Sequence, residues 1–530
     1  MEEFQLFAFL VALIVLFCGL YFTRNKLTSR GNIKLPPSPP TLPVIGNLHQ
    51  LGHLPHRSLW ELSTKYGPIM LLKFGSKPTL VISSAAIAKE ILKTHDLAFA
   101  NKPVMSAPKK IFYDLKDLVN LQYGEQWRKI RSIFVHELLS STRVKSFNTI
   151  REEEIDLMVE KIKRVSSSPV NLTYMFTRLT NDMICRSAFG KKHSETGHGK
   201  IFLDKMDDAV ALLFNFTIGE FVPWLGWINR LNGFNASLDK YARELDEVLN
   251  AVIEDHMSRG TSSNGDEDDG KSKENFVDIL LGIYKGNTPG VSIDLISLKA
   301  VILSDRDSLA RGKMGAGSKV VDVELWVDAL GAGTETSTTT LIWVMTELIR
   351  NPPVMTKLQD EIREIMKGGK QQITDEDLQK MQYLKAVIKE TFRCHPPVAI
   401  YFRAAREYVN LMGYDIAPET MILINAWAIG RDPSCWDEPE KFMPERFLNS
   451  CVDFRGFDFQ LIPFGAGRRI CPGLGFAAIS IEHTVANLMQ KFDWALPHGA
   501  KGEDLDATER PGFTIGKKEP LIVVPTKSYF

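Results

Sequence analysis

Apolar residues recur at i, i+3 and i+4 over residues 86–93, 127–138, 171–189, 238–257, 325–350 and 481–491, the repeat of a helix with one face turned to a core. Asn351 followed by Pro352 and Pro353 should stop the 325–350 helix. Two short runs, IMLLKFG and TLVISS, alternate or stay apolar around a Gly-Ser-Lys-Pro turn and predict a small hairpin. Strand-like pieces return near 421–425 and 521–525, so the body is expected to be mainly α with small β sheets. Residues 261–275 (TSSNGDEDDGKSKEN) lack core-forming side chains and predict a surface loop.

The N-terminus follows a different pattern. Residues 4–22 read FQLFAFLVALIVLFCGLYF, with Gln5 as the one strongly polar residue, and about 20 apolar helical residues cross a bilayer core. No basic stretch precedes the run and no small-residue cleavage site follows it, so a retained anchor over 1–23 is expected rather than a removed signal. Glu2 and Glu3 lie before it and Arg24, Lys26, Arg30 and Lys34 after it, which leaves the remainder of the chain in the cytosol. Residues 24–45 then form a basic and proline-rich hinge, with Pro36, Pro37, Pro39, Pro40 and Pro43 forbidding helix and stiffening the connection. No later stretch has the composition of a linker, so 46–530 is read as one catalytic domain.

Sixty-four basic and sixty-four acidic residues cancel, which removes the general attraction to phosphates and makes nucleic acid an unexpected partner. The six cysteines show neither a C-x-x-C pair nor a regular spacing, so any chemically important one acts alone. Cys471 is the candidate. It lies in FGAGRRICPG, just before a helix and among glycines and arginines, where free N–H groups and guanidinium favour a thiolate able to ligate metal. The glycines let backbone pass close to a flat, bulky group, and Arg469 could neutralise a carboxylate on it. Two other glycine-rich stretches carry no nucleotide signature: 312–319 has the wrong order for a phosphate loop, and GAGRR does not open a dinucleotide fingerprint.

Phe464, Gly467, Arg469, Cys471 and Gly473 fill F-x-x-G-x-R-x-C-x-G, which resembles the haem-thiolate loop of the cytochrome P-450 family. Further motifs follow the same resemblance in order. Glu390-Thr391-Phe392-Arg393 places a carboxylate and a guanidinium on one helical face, and in the family Arg446 of Pro444-Glu445-Arg446-Phe447 joins Glu390 and Arg393 in a buried network. Ala332-Gly333-Thr334-Glu335-Thr336-Ser337 is similar to the oxygen-activation segment, with Glu335 and Thr336 as the proton-handling pair. Trp127 and Arg131 match the helix that meets one haem propionate, and Arg403, one residue short of the usual spacing after His395-Pro396-Pro397, matches the arginine for the other. The family's substrate-facing regions fall on Phe112, Tyr113, Ala329, Val398, Ala399, Ile400, Tyr401, Phe513 and Thr514.

The chain most resembles plant microsomal family-71 members. That resemblance implies a cytochrome P-450 fold with an N-terminal transmembrane helix, anchored in the endoplasmic reticulum. It implies haem b with Cys471 as the axial iron ligand, and O2-dependent oxidation fed by NADPH through a separate cytochrome reductase, with cytochrome b5 as a second candidate donor. The expected substrate is a small lipophilic specialised metabolite, an indole alkaloid or terpenoid. The alternatives are a haem-thiolate isomerase or dehydratase that needs no O2, and a silent membrane haem-binding or ligand-binding protein. One departure stands out: residues 304–324, with Gly312, Gly315 and Gly317, interrupt the approach to the oxygen-activation segment and read as an atypical insertion.

Overall fold

The predicted hairpin forms as strands β1 (Ile69–Phe74) and β2 (Lys77–Ile82), with Ile69 opposite Ile82 and Phe74 opposite Lys77. It belongs to a computed structural model that describes residues 33–189, 192, 217–244, 276–284, 332–368 and 372–528. The 4–22 anchor, the 261–275 loop, the 304–324 insertion with its 312–319 run, and Ala329 lie outside the described residues. Among the described residues no helix is long and apolar enough to cross a membrane.

The elements that frame the site are, in chain order, α1 (Glu125–Ser132), α2 (Asn148–Arg164), α3 (Leu172–Phe189), α4 (Ala332–Arg350), α5 (Pro352–Ile365), α6 (Gln382–Cys394), β3 (Ile400–Ala404), β4 (Met421–Asn425) and α7 (Leu474–Lys491). Helix α4 is the hub, because its residues from Ser337 to Ile349 are all buried, and α3, α6 and α7 pack around it in one apolar core. A helix buried on every side must be free of unpaired polar groups. Thr340 and Thr346 comply by donating to the carbonyl one turn back, of Thr336 at 2.9 Å and of Ile342 at 2.7 Å, and Thr338 pairs with the Thr180 hydroxyl at 2.7 Å, whereas the buried Thr334 hydroxyl has no partner among the described residues. Asn351 ends the helix by donating its backbone N–H to the Glu347 carbonyl at 2.9 Å, and Pro352 opens α5 at the position where its missing N–H costs nothing.

Strands β1, β2, β4 and β3 lie side by side in that order, with β2 and β4 parallel and the outer pairs antiparallel. A second sheet joins Val170–Asn171, Ile522–Lys527 and Phe492–Ala495. The proline-rich hinge departs from a free spacer: Pro36 and Pro39 are buried, and the Pro37 carbonyl accepts the Leu71 N–H of β1 at 2.9 Å. Proline cannot donate to a sheet ladder but its carbonyl can accept, so the segment lies along the sheet edge as a cover.

Candidate active site

Gly465 and Gly467 both have φ +70°, and a Cβ on Gly467 would stand 2.1 Å from the Leu92 carbonyl oxygen, so the turn accepts no side chain there. The Cys471 N–H donates to the Phe464 carbonyl at 2.9 Å, closing the loop, and the Phe464 ring is wedged between Phe392 of α6 and Phe454 with centroids 5.2 and 5.6 Å away. The thiol is then delivered to a cavity of about 340 Å³ just ahead of α7. Burial pushes the Cys471 thiol up, while N–H groups of Gly473 and Leu474 and the Arg131 guanidinium pull it down. A cation bound at sulfur would displace the proton. Among the described residues no cluster of three or more metal-binding side chains exists, so Cys471 would act as a lone protein ligand.

Helix α4 contributes Ala332, Gly333, Thr336, Ser337 and Thr340 to the cavity. The Thr336 hydroxyl donates to the Ala332 carbonyl. Its neighbour Glu335 lies on another stripe of the helix, accepts from the Thr514 hydroxyl, and sits 3.6 Å from Arg510. The sequence pairs these two residues, whereas the structure puts only Thr336 on the cavity wall, because adjacent helical positions are about 100° apart.

Four cationic side chains line the cavity: Lys102, Arg131, Arg403 and Arg469. Burial and the two arginines hold the Lys102 pKa well below its ordinary value. Burial brings Arg403 to about 10, and burial with Arg403 brings Arg469 to about 9. Arg469 is also the clamp between two loops, donating to the carbonyls of Ala100 at 2.5 Å, Val119 at 3.2 Å and Leu121. Neither the Lys102 ammonium nor the Arg131 guanidinium has a hydrogen-bond acceptor among the described residues. Trp127 lines the cavity too, but its indole N–H is taken by the Leu118 carbonyl at 3.2 Å, and its ring carries the Arg469 guanidinium at 4.9 Å. A flat apolar ligand with carboxylates at one edge and a thiophilic metal at its centre suits this wall: its anions would offset the crowded positive charge and its metal would meet Cys471. Haem b has that form.

Beneath the cavity Glu390 and Arg393, both fully buried, form a two-pronged ion pair at 2.7 and 2.8 Å, and Arg446 joins Glu390 at 3.1 Å. Arg393 also donates to the carbonyls of Gly430 and Pro439, both at 2.7 Å, and of Lys441 at 3.0 Å. The three residues that the family resemblance gathers into one network thus lie together as an interior knot that fixes the chain between β4 and the Cys471 loop.

The expected substrate wall needs correction at several positions. Val398, Tyr401 and Phe513 line the cavity. Ile400 packs on the opposite side of β3, as strand alternation requires, and Ala399 packs against Trp427. Thr514 is engaged by Glu335. Phe112 is buried and does not line the cavity, and neither does Tyr113, because Tyr113, Asp114 and Leu115 take left-handed φ of 50°, 66° and 63° and turn the chain so that Leu118 and Val119 reach it instead. Sequence reasoning also missed Lys102, Ile184, Ser187, Ser337, Thr340 and Phe276. Thr340 was recoverable from its place one turn beyond Thr336, but Lys102 and the α3 residues carry no local signal.

Comparisons with known proteins give the family of the chain. The sequence model of the cytochrome P450 family matches residues 36–304 and 321–524. The tabersonine/lochnericine 19-hydroxylase of Catharanthus roseus is 47% identical, over 98% of this chain and 98% of its own. Cytochrome P450 71A8 of Mentha piperita is 46% identical, over 98% of this chain and 95% of its own. A zebra fish cytochrome P450 solved with abiraterone superposes with a TM-score of 0.70 at 24% identity, covering 90% of this chain and all of that one, a likeness of fold.

Proposed function

We propose, on the premise that this chain belongs to the cytochrome P450 family, that this monooxygenase hydroxylates a small lipophilic plant specialised metabolite, an indole alkaloid ahead of a terpenoid. The balance is RH + O2 + NADPH + H⁺ → ROH + H2O + NADP⁺, with the electrons delivered by a separate cytochrome reductase, cytochrome b5 being a second candidate donor. The observation that carries the reading is Cys471 facing, with Thr336, one largely apolar cavity edged by four cations. The alkaloid preference draws on the relative that is a tabersonine/lochnericine hydroxylase. Residues 4–22 would hold the body at the endoplasmic reticulum membrane, where lipophilic substrates partition.

Bound haem supplies the dioxygen activation, which a thiolate ligand favours by pushing electron density toward O–O cleavage. The chain's part is to hold and to deliver. Gly473 and Leu474 N–H groups would temper the Cys471 sulfur, Arg131, Arg403 and Lys102 would hold propionates, and Val398, Leu118, Val119 and Phe513, which line the cavity, would orient substrate by apolar contact. Thr336 lines the cavity with its proton on the Ala332 carbonyl, so its oxygen accepts from the cavity side, and turning the hydroxyl away from that carbonyl would let it relay a proton. The test is a carbon monoxide difference spectrum of the reduced protein, followed by NADPH consumption and incorporation of labelled oxygen into candidate alkaloids. A thiolate-type Soret band with NADPH-dependent label in product supports the reading; product formed without NADPH would transfer the chain to isomerase or dehydratase chemistry.

Thr336→Ala is expected to keep haem and the thiolate spectrum while product per NADPH falls about tenfold or more, within the ~10²-fold a positioned proton donor supplies at the lower end of its range. Peroxide and oxygen electrodes alongside product analysis would measure it, and unchanged coupling would remove Thr336 from proton delivery.

The unmatched residues 305–320 fall inside the 304–324 segment that sequence reasoning sets apart. We read that segment as surplus to the catalytic body, its glycines and mixed charges offering little apolar surface to offset ordering. Deleting 304–324 should leave the yield of thiolate-ligated haem protein equal or higher; loss of haem binding in the deletion would make the segment integral.

A further inference from the structure

Tyr401 is a residue that the haem-ligation reading leaves without a part. It sits on β3 two residues before Arg403, on the same strand face, and both side chains reach the cavity. Its phenol does not end there. The Tyr401 hydroxyl is 2.8 Å from the Ile462 carbonyl oxygen and 2.6 Å from that of Pro463. Its one proton is shared between the two acceptors, and burial raises the phenol's pKa, so the group stays a donor.

Those two carbonyls belong to the turn that launches the thiolate loop. The Ile462 carbonyl also accepts the Gly465 N–H at 3.0 Å, and the carbonyl of Phe464, directly after Pro463, accepts the Cys471 N–H. One contiguous chain of contacts thus runs from the Tyr401 hydroxyl through the 462–465 turn to the cysteine backbone. Gly465 is left-handed, and the Tyr401 ring edge is 4.0 Å from the place its Cβ would take, so the ring also closes over the turn. The strand itself cannot drift, because Tyr401 is paired with Ile424 and Arg403 with Ile422 in the four-stranded sheet.

We propose that Tyr401 is a positioning residue for the axial thiolate: its hydroxyl ties the substrate-side strand β3 to the 462–465 turn and so fixes where Cys471 presents its sulfur. Substrate wall and metal ligand then share one rigid strut, and Arg403 rides on the same strand. The inference rests on Cys471 being the haem ligand.

The test compares wild type with Tyr401→Phe, which removes the hydroxyl and keeps the ring, and Tyr401→Leu, which removes both. Readouts are the share of the reduced carbon monoxide complex with a thiolate-type Soret band, and the rate of haem transfer to apomyoglobin. Loss of one hydrogen bond predicts haem release about fivefold faster in Tyr401→Phe, with a larger thiol-type fraction. Equal effects in the Phe and Leu variants place the function in the hydroxyl and support the proposal. A Phe variant that matches wild type in both readouts overturns it, and so does an effect confined to Leu, which would assign the site to ring packing. Collapse of the helical circular dichroism in Tyr401→Phe would also overturn it, since the hydroxyl would then hold the fold at large. If wild type itself shows no thiolate-type band, the Cys471 assignment fails instead, and the two failures are told apart.

Discussion

Cys471→Ala is expected to abolish the thiolate-type carbon monoxide spectrum and all NADPH-dependent product, a loss of several orders of magnitude. Alanine has no donor atom, and serine, the closest isostere, offers an oxygen that lacks the polarisable electron density of sulfur. The surrounding structure cannot compensate, because the described residues that line the cavity with Cys471 include no other cysteine, histidine or carboxylate. The fold should survive, since the loop is held by the Cys471 N–H, by the glycine turns and by the Phe464 ring, none of which needs the thiol. Absorption spectroscopy of reduced, carbon monoxide-treated protein with matched haem content measures the result. Normal turnover in a haem-loaded Cys471→Ala protein would refute the assignment of the metal ligand.

Arg393→Ala has the other large expected effect, and it falls on folding. Removing the guanidinium leaves the Glu390 carboxylate fully buried with Arg446 as its remaining cation, and strips the donors from three backbone carbonyls. Breaking a buried pair in this way costs about 3–5 kcal/mol, a large share of the roughly 5–15 kcal/mol that holds a folded protein together. Haem-loaded protein should therefore be scarce, as measured by Soret absorbance per unit of total protein. Arg393→Lys keeps the charge but not the fork that reaches Gly430, Pro439 and Lys441, so it should recover only part of the yield. A stable, fully loaded Arg393→Ala protein would show the knot to be dispensable.

These two effects concern the features that were most legible in the sequence, and the reason is local. The thiolate loop is built within ten residues by glycines whose backbone angles no other residue favours, and Glu390 with Arg393 is fixed by one helical turn, so spacing carries geometry directly. Legibility fails where tertiary packing decides. Nothing in the run from Phe112 to Leu115 announces three successive left-handed residues, and these alone move the cavity wall from Phe112 and Tyr113 to Leu118 and Val119. Ile400 and Tyr401 are adjacent letters with opposite destinations, settled by the register with β4. Glu335 reads as a partner for Thr336, yet its partner is Thr514, 179 positions later. Helix α3 lies where the apolar repeat puts it and the described part of α4, from Ala332, does too, while α7 begins at Leu474, about two turns before the repeat at Ile481 and directly after the Cys471 loop.

The four cations that line the cavity face one another at short range. Lys102, Arg403 and Arg469 oppose one another there, and their protonated forms are the less favoured for it. An anionic cofactor that enters relieves this repulsion, so its binding free energy becomes folding free energy. By mass action, free haem at roughly a thousandfold over its dissociation constant would stabilise the chain by about 4 kcal/mol. The yield of folded chain is therefore expected to rise with haem supply, which expression with and without an added haem precursor would measure.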